Sequence, residues 1–291
     1  MSFDHLVIVG PGRAGLALGY ALVQAEAVLN LTVCGRRADP PAHPLFTQGL
    51  AAYCFGLVQP RPGTVAVFLA VPDAVIPEMA HALARQGPAP EGCAALHLSG
   101  ALSTEVLAPL HGCGYAIGSF HPLQALAHSV TGAERLPGSW VAVTGAPGAV
   151  GVARRVAAAL GSPVLAVPES RRPLYHAAAV LASNFLPPIL DAASRLLERA
   201  GVPYQDALPA LLPLVRGTLE NIAERGVEGA VTGPIPRGDV ETVGLHLRAL
   251  EGSDRRLYAT LGLELLRLAA PGLPEDARRE LLERFNREIH T

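Results

Sequence analysis

The sequence predicts two unlike halves, a mostly parallel, doubly wound α/β domain over residues 1–168 and an all-α domain over residues 169–291. Three observations carry that division. Strand-like apolar runs alternate with helix-like segments up to about Pro168, the pattern of a parallel sheet covered on both faces. A glycine-rich turn joins the first run to the first helix. Beyond Pro168 apolar residues recur at helical spacing, and no run reads as a strand. A length of 291 residues suits two domains with sizeable cores.

The first strand, Leu6-Val7-Ile8-Val9, runs straight into Gly10-Pro11-Gly12-Arg13-Ala14-Gly15, and an Ala/Leu-rich helix follows from Leu16 to Ala27. In that setting G-x-G-x-x-G is a dinucleotide fingerprint of a Rossmann sheet. The glycines allow a tight turn and close backbone approach to a pyrophosphate, which the helix N-terminus then faces. A second strand, Leu29–Cys34, ends in Gly35-Arg36-Arg37. An NAD site usually places Asp or Glu there, against the ribose 2′-hydroxyl. Two guanidinium forks suit a 2′-phosphate instead, so NADP(H) is the expected cofactor. The nearest acid, Asp39, comes several residues too late.

A third strand, Thr64–Val71, leads into Pro72-Asp73 and a helix over residues 74–86, setting Val71 and Pro72 beside the cofactor. Residues 59–63 read as a turn or surface loop. The strand Ala94–Leu98 ends in Ser99-Gly100-Ala101, with Ser103 or Thr104 placed to cap the next helix. Tyr115–Phe120 leads into His121-Pro122, Trp140–Val143 precedes an Ala-rich helix over 149–160, and Val164–Val167 closes the sheet. The second half predicts a helix over 172–200 interrupted at Pro187-Pro188, then helices over 204–224, 240–250, 253–269 and from Pro274 to His290. The Gly/Pro-rich loop Thr232–Asp239 ends in Asp239, a natural N-cap.

Composition excludes several classes of function. A net charge of −2 offers no electrostatic footprint for nucleic acid or an anionic membrane. Apolar runs such as Val65–Val71 fall far short of the roughly 20 residues that span a bilayer. The first strand begins within a few residues of Met1, leaving no room for a signal peptide, so the expected location is the cytoplasm. Cys34, Cys54, Cys93 and Cys113 are scattered without C-x-x-C or nearby His at ligand spacing, so neither a disulfide framework nor a metal site is expected. All 23 Lys+Arg residues are arginine. Without lysine there is no Schiff base and no catalytic ammonium, and acid/base work near neutral pH falls to His, carboxyl, Tyr, Cys or water.

Three stretches carry a family resemblance: Gly118-Ser119-Phe120-His121-Pro122-Leu123-Gln124; Tyr175-His176-Ala177-Ala178-Ala179 through Ala182-Ser183-Asn184; and Thr232-Gly233-Pro234 through Arg237-Gly238-Asp239. With them the chain resembles bacterial Rossmann-like proteins bearing a DUF2520 C-terminal domain. Those lie within the two-domain NADP-linked dehydrogenases whose helical half is similar to that of 6-phosphogluconate dehydrogenase. The resemblance implies fold and cofactor, and leaves the substrate open.

Three constellations are candidates for chemistry. His121 stands where prephenate dehydrogenases, which look similar here, carry a catalytic His-Pro. That resemblance implies that His121 gives or takes the hydroxyl proton while Ser99 hydrogen-bonds the same oxygen. The other reading makes His121 an anchor of the strand–loop junction. His176, Ser183 and Asn184 form the second group: at 100° per residue His176 and Ser183 share a helix stripe with Asn184 beside them. The β-hydroxyacid dehydrogenases, similar in architecture, present Lys and Asn four residues apart on this helix. The present chain has His176 and no lysine, so their mechanism does not transfer. A capped or interfacial His and a core Asn are the alternatives. In the third group Arg237 would clamp a substrate carboxylate, with Asp239 beside it, unless the two form an internal bridge that stiffens the loop.

Together these readings predict an NADP-dependent oxidoreductase that holds a small, carboxylated hydroxyl or carbonyl substrate in a cleft between its domains. The alternatives are an imine reductase of the pyrroline-5-carboxylate reductase type and a non-catalytic NADP(H)-binding redox sensor. A homodimer through the apolar helical half is expected, with no nucleic-acid or membrane partner.

Overall fold

The computed structural model describes residues 2–269 and 272–289. It divides into two compact units, Met1–Asn184 and Phe185–Thr291. In the first unit β1 (Phe3–Val9), α1 (Arg13–Gln24), β2 (Val28–Gly35), the short α2 (Pro44–Thr47), β3 (Ala52–Phe55), β4 (Thr64–Leu69), α3 (Ile76–Ala84), β5 (Ala94–His97), the short α4 (Ala108–His111) and β6 (Ala116–Pro122) follow one another. Then come α5 (Ser129–Arg135), β7 (Val141–Gly145), α6 (Pro147–Ala159), β8 (Val164–Ala166) and α7 (Arg172–Ala179). The eight strands lie in the order β3-β2-β1-β4-β5-β6-β7-β8.

Chain direction across the sheet reverses between β1 and β4, and a doubly wound sheet opens its ligand crevice at that switch point, beyond the carboxyl ends of the strands. Alternation within β1 explains the two layers. Leu6 and Ile8 join a core with α1 and α6, including Leu18, Leu22, Val152 and Val156. Val7 and Val9 join the opposite core with α3 and its neighbours, including Ile76, Leu83 and Leu110. Both sets are buried, as strands covered on both faces require.

In the first unit, three departures from the sequence reading bear on the site. The edge strand β3 was not anticipated: its apolar run is only four residues long, two of them exposed and two half-buried. The strand β7 pairs antiparallel with β6, from Gly118 opposite Gly145 to Pro122 opposite Val141, so the sheet is parallel except at that pair. The helix α1 starts at Arg13, three residues early, which puts Arg13, Ala14 and Gly15 in its first turn.

After α7 the chain makes a π-type turn over Val180–Asn184, and α8 (Leu186–Arg199) begins the second unit. The expected break at Pro187-Pro188 therefore lies upstream of the prolines, which sit in the first turn of α8, where a missing N–H costs nothing. The helix α9 (Tyr204–Gly229) runs past the expected end at Glu224 and kinks at Gly226, whose φ is 73°. The last three helices, α10 (Val240–Ala249), α11 (Gly252–Ala269) and α12 (Glu275–Ile289), share a core around Val243, Leu247, Leu281 and Phe285. His290, placed at the end of the last helix by sequence, lies outside the described residues.

Residues 169–199 are helical over 31 residues, and one 18-residue window within them reaches a mean hydropathy of 1.2, enough by length and composition to cross a membrane. The run contains the buried Arg172, the π-type turn and three prolines, Pro173, Pro187 and Pro188. Its first part is fixed to the sheet by Arg172, which makes it an element of the fold.

Candidate functional site

The glycine turn lies at the switch point. Gly10 takes φ +111°, and a Cβ there would approach the Ala70 carbonyl oxygen to 2.5 Å. A Cβ at Gly15 would collide with the Gly10 carbonyl. The close packing of β1, α1 and the end of β4 thus requires glycine at both positions. Gly10, Pro11, Gly12, Arg36, Arg37, Val71 and Pro72 line one depression of about 1040 Å³. Of the other expected cofactor residues, Gly15 is buried under the turn, and Arg13 and Ala14 lie on the first turn of α1.

Arg36 and Arg37 are exposed on the rim. Tyr53 on β3 donates its hydroxyl to the Arg37 carbonyl at 2.8 Å, holding that loop. Asp39, which the sequence places several residues too late, nevertheless lines the same depression.

A second set of polar groups continues along the same edge of the sheet. Asp73 follows β4, Ser99 and Gly100 follow β5, and His121 lies near the end of β6. Ser99 donates to Asp73 Oδ2 at 2.7 Å and accepts from the backbone N–H of Ala101 (3.2 Å) and Leu102 (3.0 Å). Its hydroxyl thereby shapes the loop that carries Gly100. A Cβ on Gly100 would lie 2.5 Å from His176 Nδ1 and 2.9 Å from His121 Nε2, so glycine leaves a notch onto which both rings face. The two imidazoles pack edge to face, 5.9 Å between centroids.

Sequence reasoning missed three residues of this cluster. Tyr175, the neighbour of His176 on α7, places its hydroxyl 2.7 Å from His121 Nδ1. Arg172, one turn earlier, is fully buried. It donates from Nε to the Leu102 carbonyl (2.6 Å), from Nη1 to Ser119 Oγ (2.6 Å) and Thr144 Oγ1 (3.2 Å), and from Nη2 to the Ser99 carbonyl. All four acceptors are neutral. The third residue, His97 at the end of β5, is fully buried, and neither ring nitrogen meets a partner in good hydrogen-bond geometry.

Burial and this cation explain the protonation states. Burial first, then the His176 and Arg172 charges, press His121 down to about 4, against an upward pull from Asp73. Burial, then Arg172 and His121, take His97 to about 3, with backbone groups of Ser103 and Ser99 opposing. Burial pushes Tyr175 up to about 12 against Arg172. Near neutral pH both histidines are uncharged and the tyrosine keeps its proton.

Family models match the chain over two stretches: residues 4–122 match a Rossmann-like domain, and residues 139–265 match the domain of unknown function DUF2520. The chain pairs a Rossmann-like domain with a DUF2520 domain. Of the cluster, Asp73, His97, Ser99, Gly100 and His121 belong to the Rossmann-like match, while Thr144, Arg172, Tyr175 and His176 come from the DUF2520 match. A search of curated proteins finds no match.

Solved structures share the fold. Protein TM1727 from Thermotoga maritima is similar at 23% identity, covering 91% of this chain and 98% of its own, with a TM-score of 0.70. A Plasmodium falciparum pyrroline carboxylate reductase with NADP bound is similar at 11% identity, covering 96% and 99%, with a TM-score of 0.62. A reductive aminase from Aspergillus terreus in complex with NADPH, cyclohexanone and allyl amine is similar at 18% identity, covering 98% and 100%, with a TM-score of 0.61.

The remaining candidates in the DUF2520 domain are less engaged. Ser183 and Asn184 are exposed, and the wide turn at 180–184 breaks the 100° stripe that joined them to His176. Asp239 caps α10, accepting from Thr242 N–H (3.0 Å) and the Thr242 hydroxyl (2.7 Å). Those bonds, with a smaller contribution from Arg237, hold its carboxyl below the usual range.

Proposed function

We propose that the protein is an NADP-dependent oxidoreductase, moving a hydride between the cofactor and a small, carboxylated hydroxyl or carbonyl compound. One observation carries the reading. The glycine turn with its two rim arginines and the His121 cluster occupy a single edge of a single sheet, bridged by the Ser99–Asp73 bond. Strand spacing separates β1 from β6 by roughly 14 Å along that edge, a span suited to a dinucleotide with its phosphates at one end and its reactive ring at the other.

The residues present fit NADP(H). Gly10 and Gly15 form a cradle that a Cβ would fill, and Gly12 with the first turn of α1 offers backbone N–H groups to a pyrophosphate. Arg36 and Arg37 supply a 2′-phosphate with cations that cannot be neutralised. When bound, the cofactor supplies the hydride chemistry. His121 donates a hydrogen bond to the substrate oxygen and polarises it for hydride transfer, a role open to a ring held neutral near physiological pH, while the proton itself is exchanged with water. Ser99, with its hydroxyl given to Asp73, supports the Gly100 loop. Arg172 clamps that loop to β6 and β7. Arg237 is the candidate for the substrate carboxylate.

A homodimer through the helical unit completes the proposal. Only Ala207 of α9 is buried, whereas Leu208, Leu214, Leu219 and Val227 are exposed, more apolar helix surface than a monomer usually leaves in water. We place the enzyme in the cytoplasm, acting on small molecules.

Titration with NADPH and NADH, followed by nicotinamide fluorescence, tests the reading. Selective NADPH binding supports it, and NADPH oxidation against hydroxy- and oxo-acid panels should then be lost in His121→Asn. No binding of either nucleotide would overturn it.

A further inference from the structure

The bond between Tyr175 and His121 can be made in two ways, and the surroundings choose between them. If His121 Nδ1 donated to the phenol oxygen, the tyrosine hydrogen would need another acceptor. Among the described residues the hydroxyl of Tyr175 meets His121 alone. If the phenol donates to Nδ1, a single bond satisfies both groups, and the one proton of a neutral imidazole must sit on Nε2. We propose that Tyr175 is the positioning residue of this site: it fixes the tautomer of His121 so that Nε2–H points into the notch over Gly100 as a hydrogen-bond donor.

The geometry around the ring supports this assignment. The tyrosine and imidazole rings stand at 89°, 5.6 Å between centroids, so the phenol approaches the ring edge and its nitrogen. Both groups hold the required charge state near neutral pH, with His121 unprotonated at its second nitrogen and Tyr175 still carrying its hydrogen. Gly100 keeps Nε2 uncovered, since any side chain there would reach it. Arg172, bonded to the carbonyls of Ser99 and Leu102, fixes the loop on which Gly100 sits.

The consequence is a substrate class, and it rests on the NADP-linked reading above. An N–H donor needs a lone pair opposite it. A carbonyl oxygen offers one, and a protonated imine offers none. The buried Arg172 guanidinium, with no carboxylate among the acceptors of its hydrogen bonds, presses on His121 more than Asp73 pulls it upward, which disfavours a second positive charge. The notch therefore receives a carbonyl oxygen, or the hydroxyl oxygen derived from it, in preference to an iminium nitrogen.

Long-range proton–nitrogen correlation spectra of the histidine-labelled full chain read the tautomer directly, with the His121 signals assigned by their loss in His121→Asn. Wild-type protein near neutral pH is expected to show His121 protonated on Nε2 alone. In Tyr175→Phe the two tautomers should become comparably populated, with NADPH affinity unchanged within about twofold. A wild-type His121 protonated on Nδ1, or an unaltered tautomer in Tyr175→Phe, would overturn the assignment. Should the variant fail to fold, the wild-type spectrum carries the test alone. Faster NADPH oxidation with the cyclic imine 1-pyrroline than with glyoxylate would overturn the substrate class. Failure of the wild-type chain to bind NADPH would remove the NADP reading and leave the tautomer result standing.

Discussion

Changing Arg36 and Arg37 together to alanine should weaken NADPH binding by about 100-fold and leave NADH within about twofold. Both side chains lie on the rim of the pocket that the glycine turn opens, and both are exposed. A charge-assisted hydrogen bond contributes about 1.5–3 kcal/mol, and exposure with salt screening argues for the low end. Two such bonds give about 3 kcal/mol, and 1.4 kcal/mol is tenfold. The assay is nicotinamide fluorescence with each nucleotide at two salt concentrations. Salt should weaken NADPH more than NADH in wild type and erase that difference in the variant. The scaffold of the loop is untouched, because Tyr53 holds it through the Arg37 backbone carbonyl. Equal loss of NADH and NADPH, or unchanged NADPH affinity, would refute the assignment of these arginines to the 2′-phosphate.

Other perturbations test the remaining parts. Gly100→Ala should abolish turnover while NADPH still binds, because its Cβ meets His121 Nε2 and His176 Nδ1; titration and activity measured on one preparation separate the effects. Arg172→Met should cost about 3 kcal/mol or more, since it leaves acceptors on one loop and two strands without their donor; urea denaturation measures it. Stability should fall in acid. His121 and His97 have folded pKa values of about 4 and about 3, below the ordinary 6.5. The unfolded chain therefore binds protons first, and each group removes about 1.4 kcal/mol per pH unit from about 6.5 down to about 4. Above 6.5 neither contributes a slope, and urea midpoints at both ends of the range check this. Asp239→Ala should lower stability by about 1 kcal/mol through loss of the α10 cap, again by denaturation.

What could be read from the sequence was local. The run Leu6–Val9, the glycines after it and the arginines after β2 are neighbours in the chain, and their roles depend on short-range geometry. The same holds for His121 at a strand end and Asp239 before a helix. Contacts formed over long separations were hidden. Tyr175 and His121 are 54 residues apart, Ser99 and Asp73 are 26 apart, and no pattern in either segment announces the pairing. Nothing in the sequence singles out Arg172, because burial of a guanidinium depends on four acceptors that only the folded sheet assembles. The strand β3 escaped notice because its apolar run is four residues long, and periodicity over so short a run does not separate strand from helix. The π-type turn escaped because each of its residues is compatible with an ordinary helix, and the extra residue per turn shows only in the backbone.

The anchoring of α7 has a consequence for dissecting the molecule. The contact division falls at Asn184, although the change in residue pattern falls at Pro168. The interval between them holds the guanidinium that ties the ends of β5, β6 and β7 together. A fragment cut at Pro168 would retain every strand, yet it would expose or orphan the acceptors of Arg172 and lose the hydroxyl beside His121. One cut after Asn184 would keep both. The smallest piece that keeps the sheet and the His121 cluster together therefore ends on a helix that lies within the DUF2520 match.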